Sequence, residues 1–182
     1  MTNSVANITE LRQSIGTAGD VILLAGYVGG NNTGGGMLTW LDDTSTQDDG
    51  GVFYLVNSNG GWKRNVAQGI MADWFGVTGD GVDCGEAVLT AINYVVSNGG
   101  ILQFPQGEVN IGTTRIEITT MNDPSFIIRG QGHGSTHITW DNVDPIAMDI
   151  NTGNYTSETA LLKFGADPTV ILPRHLRTAF VS

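Results

Sequence analysis

A single cysteine, Cys84, stands among 182 residues, which excludes an internal disulfide framework and a cysteine-based zinc site. Charge is scarce as well. Only 14% of the residues are Asp, Glu, Lys or Arg, and eight basic residues face eighteen acidic ones. The resulting net charge of −10 repels phosphate backbones and anionic membrane surfaces, so no nucleic-acid partner is expected. Long apolar runs are missing: none approaches the roughly 20 residues of a membrane span. The opening MTNSVANITELRQ lacks the basic-then-apolar order of a signal peptide, so neither membrane insertion nor secretory export is expected, and synthesis in a cytoplasm is. Signature motifs are absent too. There is no GxSxG, no HExxH and no phosphate-binding loop, and Gly130-Gln131-Gly132-His133-Gly134 reads as a turn because no helix follows it. No cofactor and no metal is expected.

What is abundant is glycine, at 26 residues, beside 40% hydrophobic residues. That composition describes a globular all-β chain rich in tight turns, because each reversal needs a residue that tolerates positive φ. Asn7 followed by Glu10 marks a short helix over Asn7 to Ser14, with Ile8, Leu11 and Ile15 on one face. Strand-like runs then cover Asp20–Gly26, Met37–Leu41, Val52–Asn57 and Trp62–Val66, separated by GGNNTGGG, DDTSTQDDGG and SNGG. This spacing predicts a small antiparallel meander. Asp42, Asp43, Asp48 and Asp49 match no EF-hand spacing and read as a solvated turn. Trp62-Lys63-Arg64 reads as the start of an edge strand whose lysine blunts aggregation, in preference to a nucleic-acid contact.

A second unit starts near Asp73. Asp83 with Glu86 three residues on predicts a capping box. Ala87, Val88, Ala91, Ile92, Val95 and Val96 form the apolar stripe of a helix of about three turns, which Asn98-Gly99-Gly100 stops. Six short strands follow: Ile101–Phe104, Glu108–Ile111, Arg115–Thr119, Phe126–Arg129, His137–Trp140 and Ala147–Ile150. In Arg115-Ile116-Glu117-Ile118-Thr119 the alternation is strict, as a sheet with one buried face requires.

The order ADWFGVTGDGV, a capped helix, GGILQFPQGEVNI and then FIIRGQGHGSTHITW resembles the start of a pectate-lyase-like right-handed parallel β-helix, and is especially similar to the tailspike proteins of tailed bacteriophages. Glu10-Leu11-Arg12, Gly26-Tyr27, Gly34-Gly35-Gly36, Asp49-Gly50-Gly51 and Gly61-Trp62-Lys63-Arg64 are similar to the small β domain that precedes the β-helix in many spikes. The resemblance covers roughly residues 5 to 165. It implies an all-β chain in which a small antiparallel β domain (1–69) leads to a connection and capping helix (70–100) and the first coils of a truncated β-helix (101–165). An irregular tail (166–182) closes it. About three coils fit that span. The helix would cap the open end of the solenoid, Trp74 and Phe75 would seal that end, and Gly79-Asp80-Gly81 would reverse the chain onto the cap. Where the family continues this turn with a threonine and paired aspartates, the chain has Val82-Asp83-Cys84-Gly85-Glu86.

The resemblance further implies a homotrimer in the virion, partnered by phage tail or baseplate proteins, and recognition of bacterial surface polysaccharide through a longer parent. The leading expectation is therefore a virion structural protein, the N-terminal part of a tailspike. The alternatives are a capsule or lipopolysaccharide depolymerase active in this short form, and a non-catalytic glycan-binding module. Glycan cleavage needs two carboxylates facing one bond. Glu117 and Asp149 lie on outward faces and stacked coils could bring them together, although outward carboxylates on an acidic solenoid ordinarily serve solubility. No catalytic residue is assigned beyond this candidate pair. A lyase would need a base and a cation, for which His133, His137 and Arg129 are the loose set and structural roles the blander reading. Trp140 or Tyr155 could stack on a sugar, but a core Trp and a loop Tyr are the simpler roles.

Overall fold

The computed structural model of the chain describes residues 3–29, 33–119, 125–132, 134–140 and 148–151. It divides into two compact units, Met1–Gly76 and Val77–Ser182. His133, Tyr155, any third coil and the tail expected over 166–182 lie outside the described residues.

In the first unit a five-stranded sheet is built from β1 (Asn3–Val5), β2 (Val21–Leu24), β3 (Gly36–Leu41), β4 (Phe53–Asn57) and β5 (Gly60–Arg64), in the order β1-β2-β3-β5-β4. All four expected strands form, but the meander does not. β5 lies beside β3, β4 is moved to the edge, and β1 adds in parallel to β2. Glycine permits this insertion: a Cβ on Gly61 would stand 2.3 Å from the Tyr54 carbonyl oxygen and 2.8 Å from the Phe53 ring. β5 is thus an interior strand, and Lys63 does not blunt an edge. Alternation sends Ile22, Leu24, Leu38, Trp40, Tyr54 and Trp62 to one face, where they pack with Leu11. Burial stabilises by roughly 1.5–3 kcal/mol for each large side chain. Trp40 and Trp62 meet edge to face with centroids 5.2 Å apart, and their indole N–H groups donate to Asp42 Oδ1 and to the Ser14 carbonyl.

Helix α1 (Ile8–Leu11) begins as its sequence predicts, with the Asn7 side chain accepting the Glu10 N–H at 2.9 Å. Glu10 reaches back to the Ala6 N–H, one residue short of the usual partner of a capping box. The helix is one turn long, so Ile15 falls beyond it and is 72% exposed. A short strand β6 (Ile70–Met71) and a 3₁₀ turn (Ala72–Phe75) complete the unit.

The second unit contains β7 (Asp80–Asp83), helix α2 (Gly85–Asn98), and strands β8 (Gly100–Gln103), β9 (Gly107–Asn110), β10 (Ile116–Thr119), β11 (Phe126–Arg129), β12 (Thr136–Thr139) and β13 (Met148–Asn151). β8 pairs with β11, β9 with β12 and β10 with β13, all parallel. Three successive strands thus meet the next three one rung later, which is the start of a right-handed parallel β-helix with an open end. Leu102, Phe104, Val109, Ile111 and Ile116 are buried in it. Val88, Ala91, Ile92 and Val95 of α2 are buried too, and the helix packs against β8 and β10.

Two local expectations need correction. The stretch after Gly79 does not reverse the chain: Asp80–Asp83 is a strand, paired in parallel with β9. Nor does Asp83 cap α2. Cys84 holds the N-cap position with no side-chain cap bond, while Asp83 Oδ1 accepts the Gly85 N–H at 3.0 Å. The pairing of β7 extends the backbone through Asp83, so the helix starts one residue later than the capping box required.

Candidate functional site

Trp74 and Phe75 belong to the first unit, and their contacts there are with its glycine loops and with Arg64. Phe75 is 3% exposed and its ring fills the space beside Gly51, where a Cβ would stand 2.4 Å from it. Trp74 stacks under Arg64, whose guanidinium carbon lies 4.9 Å from the indole centroid and 5.9 Å from that of Tyr54. Arg64 is itself buried, and it donates to the carbonyls of Gly51 at 2.9 Å, Gly35 at 2.9 Å and Gly34 at 2.7 Å. The Tyr54 hydroxyl donates to the Trp74 carbonyl at 2.9 Å. Burial pushes the Tyr54 phenol up to about 12. Asp73 accepts the Gly34 N–H at 3.3 Å through Oδ2, while its buried Oδ1 has no partner. Burial raises its pKa, offset in part by the Gly34 N–H and the nearby Arg64 charge. A buried cation that donates from all three of its nitrogens to backbone carbonyls is a clamp for the glycine loops. Sequence reasoning missed it, because nothing in Gly34-Gly35 or Gly51 announces an arginine partner.

The acidic loop is likewise structural. Asp49 Oδ1 accepts the N–H groups of Gly51, Val52 and Phe53, and Asp48 accepts those of Gly50 and Leu55 while pairing with Arg12. These bonds run along edge strand β4 and its approach. Asp43 accepts from the backbone and hydroxyls of Ser45 and Thr46, which holds its carboxyl well below the usual range. The carboxylates are consumed locally, so the loop offers no preformed cation cage.

In the second unit Glu117 and Asp149 are register partners across β10 and β13, so their backbones lie one inter-strand spacing apart, about 4.8 Å. Asp80, Glu108 and His137 form another register row across β7, β9 and β12. His137 is exposed, with Nε2 3.2 Å from the Gly134 carbonyl, and Glu108 accepts from the Thr139 hydroxyl at 3.0 Å. Arg129 donates to Gln103 Oε1 at 3.0 Å on the neighbouring strand pair. Arg129 and His137 therefore sit on different faces of the rung. Trp140, just past β12, is half-buried. Among the described residues no three His, Cys, Asp or Glu side chains are grouped to hold a metal ion. Cys84 donates to the Asn110 carbonyl with Sγ 3.3 Å away, and burial pushes the thiol pKa up, so it is a poor nucleophile.

A small β unit followed by a helix-capped parallel β-helix is the architecture of tailed-phage tailspikes, and the comparisons agree. Residues 4–67 match the family described as the phage tail protein small four-stranded beta-sheet domain. Over 82 residues the chain is 38% identical to the Mu-like prophage FluMu defective tail fiber protein of Haemophilus influenzae, covering 44% of this chain and 13% of that protein. The structure resembles that of Pantoea stewartii WceF, a glycan biofilm modifying enzyme with a tailspike-like parallel β-helix fold. Here the TM-score is 0.67 and the identity 21%, over 81% of this chain and 23% of that one. It also resembles tailspike gp49 of Acinetobacter baumannii phage Fri1, a capsular polysaccharide depolymerase, with a TM-score of 0.58 and 19% identity over 71% of this chain and 23% of that one. These likenesses define the parts: over residues 4–67 a small β domain of the kind found in phage tail proteins, and beyond it a parallel β-helix fold like that of tailspikes. This chain spans about a quarter or less of the length of these relatives.

Proposed function

We propose that this chain is the particle-proximal part of a phage tailspike. Residues 1–69 attach the spike to tail or baseplate proteins, 70–100 connect and cap, and 101–165 begin a homotrimeric β-helix. Through that helix a longer parent recognises host-surface polysaccharide. The observation that carries the reading is a succession within one chain: a region matching a phage tail β domain, then a parallel ladder under a capping helix. The test is electron microscopy of particles from cells expressing the chain, with gold-labelled antibody raised against the first unit. Label at the tail is expected; label found only on material free of particles would overturn the attachment.

A depolymerase active in its own right is the second reading, favoured by the Glu117–Asp149 register. Capsule or lipopolysaccharide incubated with the chain is expected to keep its viscosity and chain length, because no complete acid and base arrangement is formed among the described residues. Cleavage abolished by Glu117→Gln or Asp149→Asn would replace the first reading with this one, and glycan-array binding without cleavage would favour a binding module.

A further inference from the structure

We infer that a recess beside Trp74 in the first unit is a binding site for a neutral pyranose. Asn65, Ala67, Gln68, Gly69, Met71 and Trp74 line a hollow of about 320 Å³, at the small end of the roughly 300–1,000 Å³ of ligand clefts. All six residues belong to the first unit. Trp74 is held from two sides: the Arg64 guanidinium carbon lies 4.9 Å from the indole centroid, and the Tyr54 hydroxyl donates to the Trp74 carbonyl at 2.9 Å. Arg64 takes no part in the lining and the indole is half-buried, so the hollow meets aromatic surface that the guanidinium leaves uncovered. A ring fixed before the ligand arrives loses little freedom on binding.

The polar groups of the hollow are carboxamides. Asn65 Oδ1 accepts the Ala67 N–H at 2.9 Å, which pins that side chain and leaves Nδ2 as a donor with no partner among the described residues. Gln68 is exposed, and its side chain makes no hydrogen bond among the described residues, so it offers both a donor and an acceptor. No charged side chain lines the hollow, and the nearby Arg64 donates to backbone carbonyls. An anionic sugar or a phosphate ester therefore finds no counter-charge, and the net charge of −10 repels it. A purely apolar ligand would cover two carboxamides without satisfying them. A neutral pyranose suits both parts: the C–H bonds of one ring face pack on the indole, and the hydroxyls of its rim exchange hydrogen bonds with Asn65 and Gln68.

The test is NMR of the isotope-labelled full chain, following the Trp74 indole N–H during titration with the methyl glycosides of glucose, galactose and mannose. Three variants run beside the wild type: Ala67→Phe fills the hollow, Gln68→Ala removes a carboxamide, and Asn93→Ala on the exposed side of α2 is the control. At least one glycoside is expected to shift the Trp74 signal saturably in the millimolar range, as one stacked ring and two carboxamides allow. Ala67→Phe should abolish the shift, Gln68→Ala should raise the Kd about tenfold, and Asn93→Ala should leave it unchanged. No shift with any of the three sugars, or a shift that survives Ala67→Phe, overturns the site. N-acetyl-leucine amide serves as an apolar probe: if it binds the hollow more tightly than the sugars do, the sugar is overturned in favour of a partner's side chain. If Ala67→Phe loses its fold, Gln68→Ala decides, and an unchanged Kd overturns the proposal. The site needs neither attachment to a tail nor a trimer, so its failure and that of the particle-proximal reading are seen in separate experiments.

Discussion

Arg64 shows how much one side chain can hold together. Its three hydrogen bonds reach two glycine loops far apart in sequence, and its planar face packs on Trp74. Lysine offers a point charge in place of that fork, so Arg64→Lys should destabilise the first unit almost as much as Arg64→Met. About 2–4 kcal/mol is expected for either, since buried carbonyls lose their donors. Urea unfolding followed by tryptophan fluorescence measures it, and a loss below about 0.5 kcal/mol would show that the clamp is dispensable. Asp73 gives a pH signature. Burial raises its pKa in the folded chain above the unfolded value, so its stabilising contribution is complete below the unfolded pKa and is lost as pH rises through the folded one. Asp73→Asn removes that loss, and the variant should gain on the wild type as pH rises from the ordinary carboxylate range through the raised folded pKa. A stability difference independent of pH would contradict the assignment. Cys84 was legible only as an isolated thiol. Its partner, the Asn110 carbonyl, comes from a strand that folding brings alongside, and alkylation at pH 7.5 should be slower than for free cysteine.

Among the elements, edge strand β4 and helix α2 carry the clearest consequences. An exposed edge invites pairing with another chain, and here the Asp48 and Asp49 carboxylates occupy N–H groups of β4 and its approach. Asp49→Ala leaves three backbone donors without that acceptor and should cost about 1–3 kcal/mol, with aggregation rising before unfolding is complete. Asp49→Asn, which keeps an acceptor, should be milder. Chemical denaturation with turbidity read in parallel distinguishes them. The sequence presented this loop as four aspartates with the wrong spacing for calcium; it could not say that β4 would be the edge, because strand order is decided by which strands find apolar cover. At α2 the start is set by close approach. A Cβ on Gly85 would lie 2.2 Å from the Thr114 hydroxyl and 2.4 Å from the Ile111 carbonyl oxygen, so Gly85→Ala should cost about 1–3 kcal/mol and lower the helical dichroism at 222 nm. An unchanged spectrum and stability would mean that the β9–β10 turn yields.

For the whole molecule, charge and length set the terms. With a net charge of −10 the full chain should pass unretained through a heparin column at low salt, and retention there would reopen the nucleic-acid partners that composition argues against. Matches that cover 13% of a tail fibre and 23% of two β-helix proteins make the glycan chemistry of any parent a question for the length this chain does not span. Within its own length, the periodic features were legible without coordinates: the α2 stripe, the strands at Phe126–Arg129 and across the first unit, and the one-turn start at Asn7. Local backbone preference and side-chain alternation dictate these, since both act over a few residues. Only the tertiary structure decided that β5 enters between β3 and β4, that Trp74 and Phe75 serve the first unit, that Asp80–Asp83 is a strand, and that Glu117 stands opposite Asp149. Each of these depends on contacts between residues distant in the chain, and such contacts are chosen by burial and hydrogen-bond satisfaction over the whole fold, which no local pattern contains.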